Sequence, residues 1–123
     1  MDRLHDVNTL FLKGICKQFG IGTQIVMDAD ISYSGQTPSE KLVSICGSLN
    51  ADTYITGPAG LNYLSKDVFE EKEIEIEVMQ YQYYKPYSQL HGNWIQNVTA
   101  LDLLANVGSN SHIHLLGRTQ VLE

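Results

Sequence analysis

The chain has 123 residues, 43% of them apolar and 18% charged, with no Pro-rich or Ser-rich tract, so it is long enough to bury a core and is neither a disordered nor a fibrous sequence. Its net charge of -6 and pI near 5.0 give it no broad attraction for nucleic acid or an anionic membrane surface. The opening Met1-Asp2-Arg3-Leu4-His5-Asp6 lacks the basic-then-apolar pattern of a signal peptide, no apolar run is long enough to span a bilayer, and Cys16 and Cys46 lie far apart, which together predict a cytoplasmic protein with two free thiols.

Leu4, Val7, Leu10, Phe11, Ile15 and Phe19 recur at three-and-four spacing, and Gly20 follows them, which predicts a first helix ending on a left-handed glycine. Residues 23–27 are β-branched enough to read as a short inner strand running into a polar loop with Asp28 and Asp30. Thr37-Pro38-Ser39-Glu40 is a helix start in which Thr37 caps, Pro38 takes the first helical position and Glu40 bonds back to the Thr37 amide. Leu42, Val43, Ile45, Cys46 and Leu49 supply that helix's apolar face, and Asn50 suits its left-handed end. Thr53-Tyr54-Ile55-Thr56 is short and β-rich, a strand, and Gly57-Pro58-Ala59-Gly60 turns it into a short helix over 61–64. Residues 39–63 therefore form a helix, a buried strand and a glycine turn, the core unit of an α/β domain.

Residues 65–70 add a helical turn, after which Ile74, Ile76 and Val78 alternate with Glu73, Glu75 and Glu77. Such a half-buried strand with a charged outer face suits the edge of a sheet. From 80 to 97 the periodicity fails and Tyr81, Tyr83, Tyr84, Tyr87, His91 and Trp94 gather among amides, as in a binding loop or an interface. Thr99 caps a last amphipathic helix carrying Leu101, Leu103, Leu104 and Val107, ended by Gly108, while 109–123 has no decided pattern. The order predicts one α/β domain over residues 1–123, with a small, largely parallel, Rossmann-like sheet flanked by helices.

Several groups carry chemistry. Gly57, Pro58 and Gly60 lie where a strand passes into a helix, a place where backbone amides attract phosphate; the alternative is a tight turn that simply needs glycine. The aromatic and amide side chains of 81–94 suit either a sugar or nucleotide pocket or a subunit interface. His91 is the proton-transfer candidate there, since an imidazole titrates near neutral pH. His112 and His114, two apart, would share one face of a strand, but no third ligand accompanies them and no metal is expected. Asp102, three residues after Thr99, fits an acidic variant of a capping box. There is no Gly-x-Ser-x-Gly elbow and no Cys-x-x-Cys pair, and nothing names a cofactor.

Taken together, Ile45-Cys46, the run from Ala51 through Asp52-Thr53-Tyr54-Ile55-Thr56-Gly57-Pro58-Ala59-Gly60 with Tyr63-Leu64, then Tyr81, Tyr87-Ser88-Gln89 and Thr99-Ala100-Leu101-Asp102-Leu103-Leu104 with Gly108, resemble the C-terminal half of WbqC-like proteins, over residues 4–116. The family's Gln-Pro-x-Tyr-x-Pro-Trp-type opening has no counterpart, so the resemblance implies that the chain is the C-terminal portion of such a protein. WbqC-like proteins are bacterial and cytoplasmic and are associated with O-antigen and other surface-polysaccharide gene clusters. The resemblance therefore implies a transferase acting on a nucleotide-activated sugar, dependent on the missing half. In that reading His91 is catalytic, and Gly57, Pro58, Gly60, Tyr63, Tyr84, Tyr87, Gln89 and Asp102 bind ligand. The alternatives are an interaction module that docks onto a separate N-terminal half or a second copy of itself, and a remnant that merely folds.

Overall fold

A computed structural model describes residues 3–115 and 118–122. The chain divides into two compact units, one made of Met1–Gln24 and Tyr84–Leu116, the other of Ile25–Tyr83 and Gly117–Glu123. Among the described residues there are four α-helices and one three-stranded sheet, which makes the protein α/β.

The second unit holds the sheet. Helix α2 (Pro38–Ser48) starts as the sequence predicts: Thr37 Oγ1 accepts from the Glu40 amide at 3.2 Å, and Glu40 Oε2 accepts from the Thr37 and Gln36 amides at 3.0 and 2.6 Å. Those backbone donors, Thr37 first and Gln36 next, hold the Glu40 carboxyl below its usual range. The helix ends on Asn50 at φ 53°, with the Ala51 amide bonded to the Cys46 carbonyl at 2.9 Å. Strand β1 (Thr53–Thr56) follows, then a 3-10 helix over Pro58–Asn62, helix α3 (Lys66–Glu70) and strand β2 (Glu75–Gln80). Ser39 is buried at the junction, where its hydroxyl accepts from the Ser65 amide at 2.9 Å and ties the start of α2 to the start of α3.

Strands β1 and β2 are parallel, with Tyr54 opposite Ile76 and Thr56 opposite Val78. That face is the core: Ile76 packs with Val43 and Cys46 of α2, Phe69 of α3, and Ile74, with Tyr54 and Leu64 alongside. Phe69 is fully buried, its ring 5.4 Å from that of Tyr54. Burial pushes the Cys46 thiol up and does the same to the Tyr54 phenol.

Three expectations change here. Strand β3 (Arg118–Val121), from the tail whose pattern was undecided, runs antiparallel to β2, so the sheet is mixed rather than largely parallel. Strand β2 is consequently central and not an edge. Its alternation records one covered face and one open face, carrying Glu75, Glu77 and Ile55, and a central strand of a one-sided sheet shows the same pattern as an edge strand. Residues 23–27 form no strand, although Met27 is extended at φ -86°, ψ 144°; among the described residues they join no ladder, and β-propensity without a partner does not make a strand. In this unit α2 and α3 share one core.

The first unit contains helices α1 (Leu4–Gln18) and α4 (Ala100–Val107). Helix α1 ends as predicted on Gly20 at φ 69°, with the Ile21 amide bonded to the Cys16 carbonyl at 2.9 Å. Thr99 caps α4, its Oγ1 accepting from the Leu101 amide at 3.2 Å. A 3-10 helix over Gly108–His114 replaces the strand that would have aligned His112 and His114. Among the described residues no helix is long and apolar enough to cross a membrane.

Candidate functional site

In the first unit the stretch before α4 is fastened to that helix by side chains. Asp102, in the first turn of α4, is the hub: its Oδ2 accepts from the Tyr87 hydroxyl at 2.7 Å and from Gln89 Nε2 at 3.1 Å. The carboxylate thus serves the preceding loop, where the sequence pattern pointed to a cap. Gln89 Nε2 also donates to the Ile95 carbonyl at 3.1 Å, and its Oε1 accepts from the Ile95 amide at 2.7 Å, so one side-chain amide pairs with backbone as a neighbouring strand would. One turn along α4, Asn106 Nδ2 donates to the Asp102 carbonyl at 2.8 Å, and its Oδ1 accepts from the Leu90 amide at 2.9 Å.

These bonds close residues 89–95 into a loop whose bend puts Gly92 at φ 69°, a left-handed angle that glycine adopts without a Cβ clash. His91 and Trp94 stand exposed on it. Beneath is a cavity of ≈ 200 Å³, lined by Asp102, His91, Gln89 and Asn106 with Leu90, Ile95 and Val98. Pockets for drug-sized ligands start at roughly 300 Å³, so this one suits a single ring rather than a whole nucleotide. Tyr87 completes the hub; partial burial, reinforced by its bond to Asp102, raises its phenol and keeps it a donor near neutral pH. Its ring meets the edge of His114 at 5.7 Å, and His114 Nδ1 lies 3.1 Å from the Lys85 carbonyl. Tyr84 is half-buried in the same unit.

Of the residues singled out from sequence, Tyr87, Gln89, His91 and Asp102 come together here. Asn106 and the backbone of Ile95 belong with them and were missed. Asn106 had one available signal, its place one helical turn after Asp102 and so on the same face.

Gly57, Pro58, Gly60 and Tyr63 lie in the other unit, and there Gly60 has a packing explanation. A Cβ on Gly60 would fall 2.1 Å from Thr56 Oγ1, whereas one on Gly57 would meet only the hydroxyl tip of the exposed Tyr81 side chain, at 2.8 Å. The Gly60 amide is already bonded to the Gly57 carbonyl at 2.9 Å, and the helix that follows is a five-residue 3-10 turn. Pro58 and Tyr63 are exposed. The same unit has a roomier cavity of ≈ 580 Å³, floored by Val43, Ala51, Val68 and Ile74, with Ser44, Glu71 and Lys72 among its polar lining.

The WbqC-like protein family model matches residues 1–114. A Mycobacterium tuberculosis protein, "Uncharacterized protein Rv1507c", is 34% identical over 110 residues, an alignment that takes in 89% of this chain and 47% of that protein. The chain thus spans about half the length of the curated relative it matches. No solved structure matches. With a family model covering nearly all of its length, the chain belongs to the WbqC-like protein family.

Proposed function

We propose that this WbqC-like chain supplies the sugar-binding part of a cytoplasmic transferase that acts on a nucleotide-activated sugar in bacterial surface-polysaccharide (O-antigen) biosynthesis. The observation that carries the reading is the Asp102 carboxylate, held by Tyr87 and Gln89 at the wall of a ring-sized cavity with His91 on its rim. A carboxylate fixed by two donors is a pre-organised acceptor for sugar hydroxyls, and an exposed indole such as Trp94 offers a flat apolar face to a pyranose. His91 is the group suited to take the proton of an attacking hydroxyl. The nucleotide part is too large for this cavity and needs another surface.

Titration of ¹⁵N-labelled protein with free sugars and with nucleotide sugars, followed by amide shifts, tests the reading. Saturable shifts at 87–106 are expected with both ligand types. Shifts at 56–63 with the nucleotide sugar alone would assign the glycine turn to the phosphates. No shift at 87–106 at millimolar ligand would remove the proposal.

A further inference from the structure

Helix α1 carries more apolar surface than its own unit covers. None of its fifteen residues is buried, and Leu4, Leu10, Phe11 and Leu12 are 77, 57, 58 and 50% exposed. Only Phe19, just past its end, is buried. At about 100° per residue, Leu10, Val7, Phe11, Leu4, Ile15 and Leu12 lie along one broad side of the helix, interrupted by Gln18 and Asn8. An apolar side of that breadth ordinarily faces a core. The element is also complete: its C-terminus is closed by the Ile21-to-Cys16 bond at 2.9 Å and the Gly20-to-Lys17 bond at 3.1 Å, so the exposed side chains sit on a finished helix.

What would cover it follows from the relative's length. The alignment takes up 89% of this chain and 47% of the M. tuberculosis protein, so a part of that relative about as long as this chain lies outside the match. We propose that the Leu4, Leu10, Phe11 and Leu12 surface of α1 is the docking surface for this complementary half of a WbqC-like protein. This goes beyond the sugar-binding reading and stands or falls without it, since it concerns assembly.

The test mixes the 123-residue chain with the unmatched part of the M. tuberculosis relative, produced as a separate polypeptide, and follows complex formation by light scattering and calorimetry. A one-to-one complex is expected. Combining Leu10→Glu with Phe11→Glu should weaken it roughly tenfold or more, because charges would be buried in an apolar contact. Lys13→Glu, on the opposite side of the helix, should leave it intact, and circular dichroism should show all variants equally folded. In the wild-type complex the α1 amides should gain protection from hydrogen exchange, a readout that needs no variant. The proposal is overturned by the absence of a complex at about 0.1 mM with a partner polypeptide that circular dichroism shows to be folded, or by a complex indifferent to the α1 substitutions. It is equally overturned if the chain alone dimerises and the same substitutions dissociate the dimer, for the surface would then belong to a second copy.

Discussion

Replacing Gly60 by Ala separates two explanations of the glycine turn. The residue is buried and its φ lies outside the left-handed region, so the backbone accepts alanine and only space opposes it. The new Cβ would fall 2.1 Å from Thr56 Oγ1, 3.2 Å from its Cβ and 3.3 Å from its Cγ2. Thr56 is itself buried and has little freedom to retreat. Overpacking of this kind costs about 1–3 kcal/mol, and a clash this close belongs at the upper end; the lost flexibility of glycine returns at most about 1 kcal/mol, leaving a net loss of about 2 kcal/mol. Thr56→Ala deletes two of the three clashing atoms and a weak 3.3 Å bond to the Gly57 carbonyl. The double variant should therefore be more stable than the sum of the single losses allows, by about 1 kcal/mol. Urea unfolding followed by far-UV circular dichroism measures all four corners of this cycle. The steric account is refuted if Gly60→Ala is as stable as the parent, or if the two losses simply add. Either result would return the glycine to a ligand role, in which an added methyl does no harm until an anion must approach.

Three further substitutions probe the other physical arguments. Glu40→Gln keeps the shape of the capping box but cannot ionise. Because the folded Glu40 carboxyl lies below its ordinary value of 4.5, the wild type should be the more stable above that pH, and its advantage should disappear as the pH falls through the lowered folded value; urea midpoints across pH 2–7 would show parallel curves if the cap bonds do not favour the charged form. Gln89→Ala removes both bonds that pair the loop with Ile95, so exchange of the Ile95 amide should accelerate at least about tenfold in hydrogen-exchange NMR, with α2 amides unchanged; an unaltered Ile95 rate would mean that the loop is held by something else. Glu73 sits at φ 55° after α3, an angle disfavoured for any residue with a Cβ, so Glu73→Gly should raise stability by about 0.5–1 kcal/mol, and a lower thermal midpoint would contradict that.

How much of this was legible in the sequence depended on whether the controlling interaction is local. The capping box at Thr37, the left-handed ends at Gly20 and Asn50, and strand β1 are written in a few adjacent residues, and the structure has all of them. Strand order is not local. The run Glu73 to Val78 specifies which side chains face the core, but not whether β2 has one neighbour or two, and the second neighbour comes from a tail without a clear pattern. Residues 23–27 fail for the converse reason: they have the composition of a strand but no ladder to join. At the candidate site, Asp102 was assigned from its distance to Thr99, a local rule, whereas its carboxylate is claimed by Tyr87 and Gln89, more than ten residues away. The three-and-four spacing of α1 was legible as a helix; that Leu4, Leu10, Phe11 and Leu12 stand exposed on it only the structure reveals.

Sugar binding here requires that the Asp102 carboxylate accept hydroxyls in the open cavity lined by Gln89, His91 and Asn106. It is tested most directly by comparing ligand affinity of the wild type and Asp102→Asn in amide-shift titrations with the nucleotide sugar that binds best. Asparagine preserves the shape and can still accept from Tyr87 or Gln89, while the charge is lost, and charge-assisted hydrogen bonds are worth about 1.5–3 kcal/mol. Affinity should weaken roughly tenfold or more with the fold unchanged. An Asp102→Asn protein that binds as tightly as the wild type would contradict it.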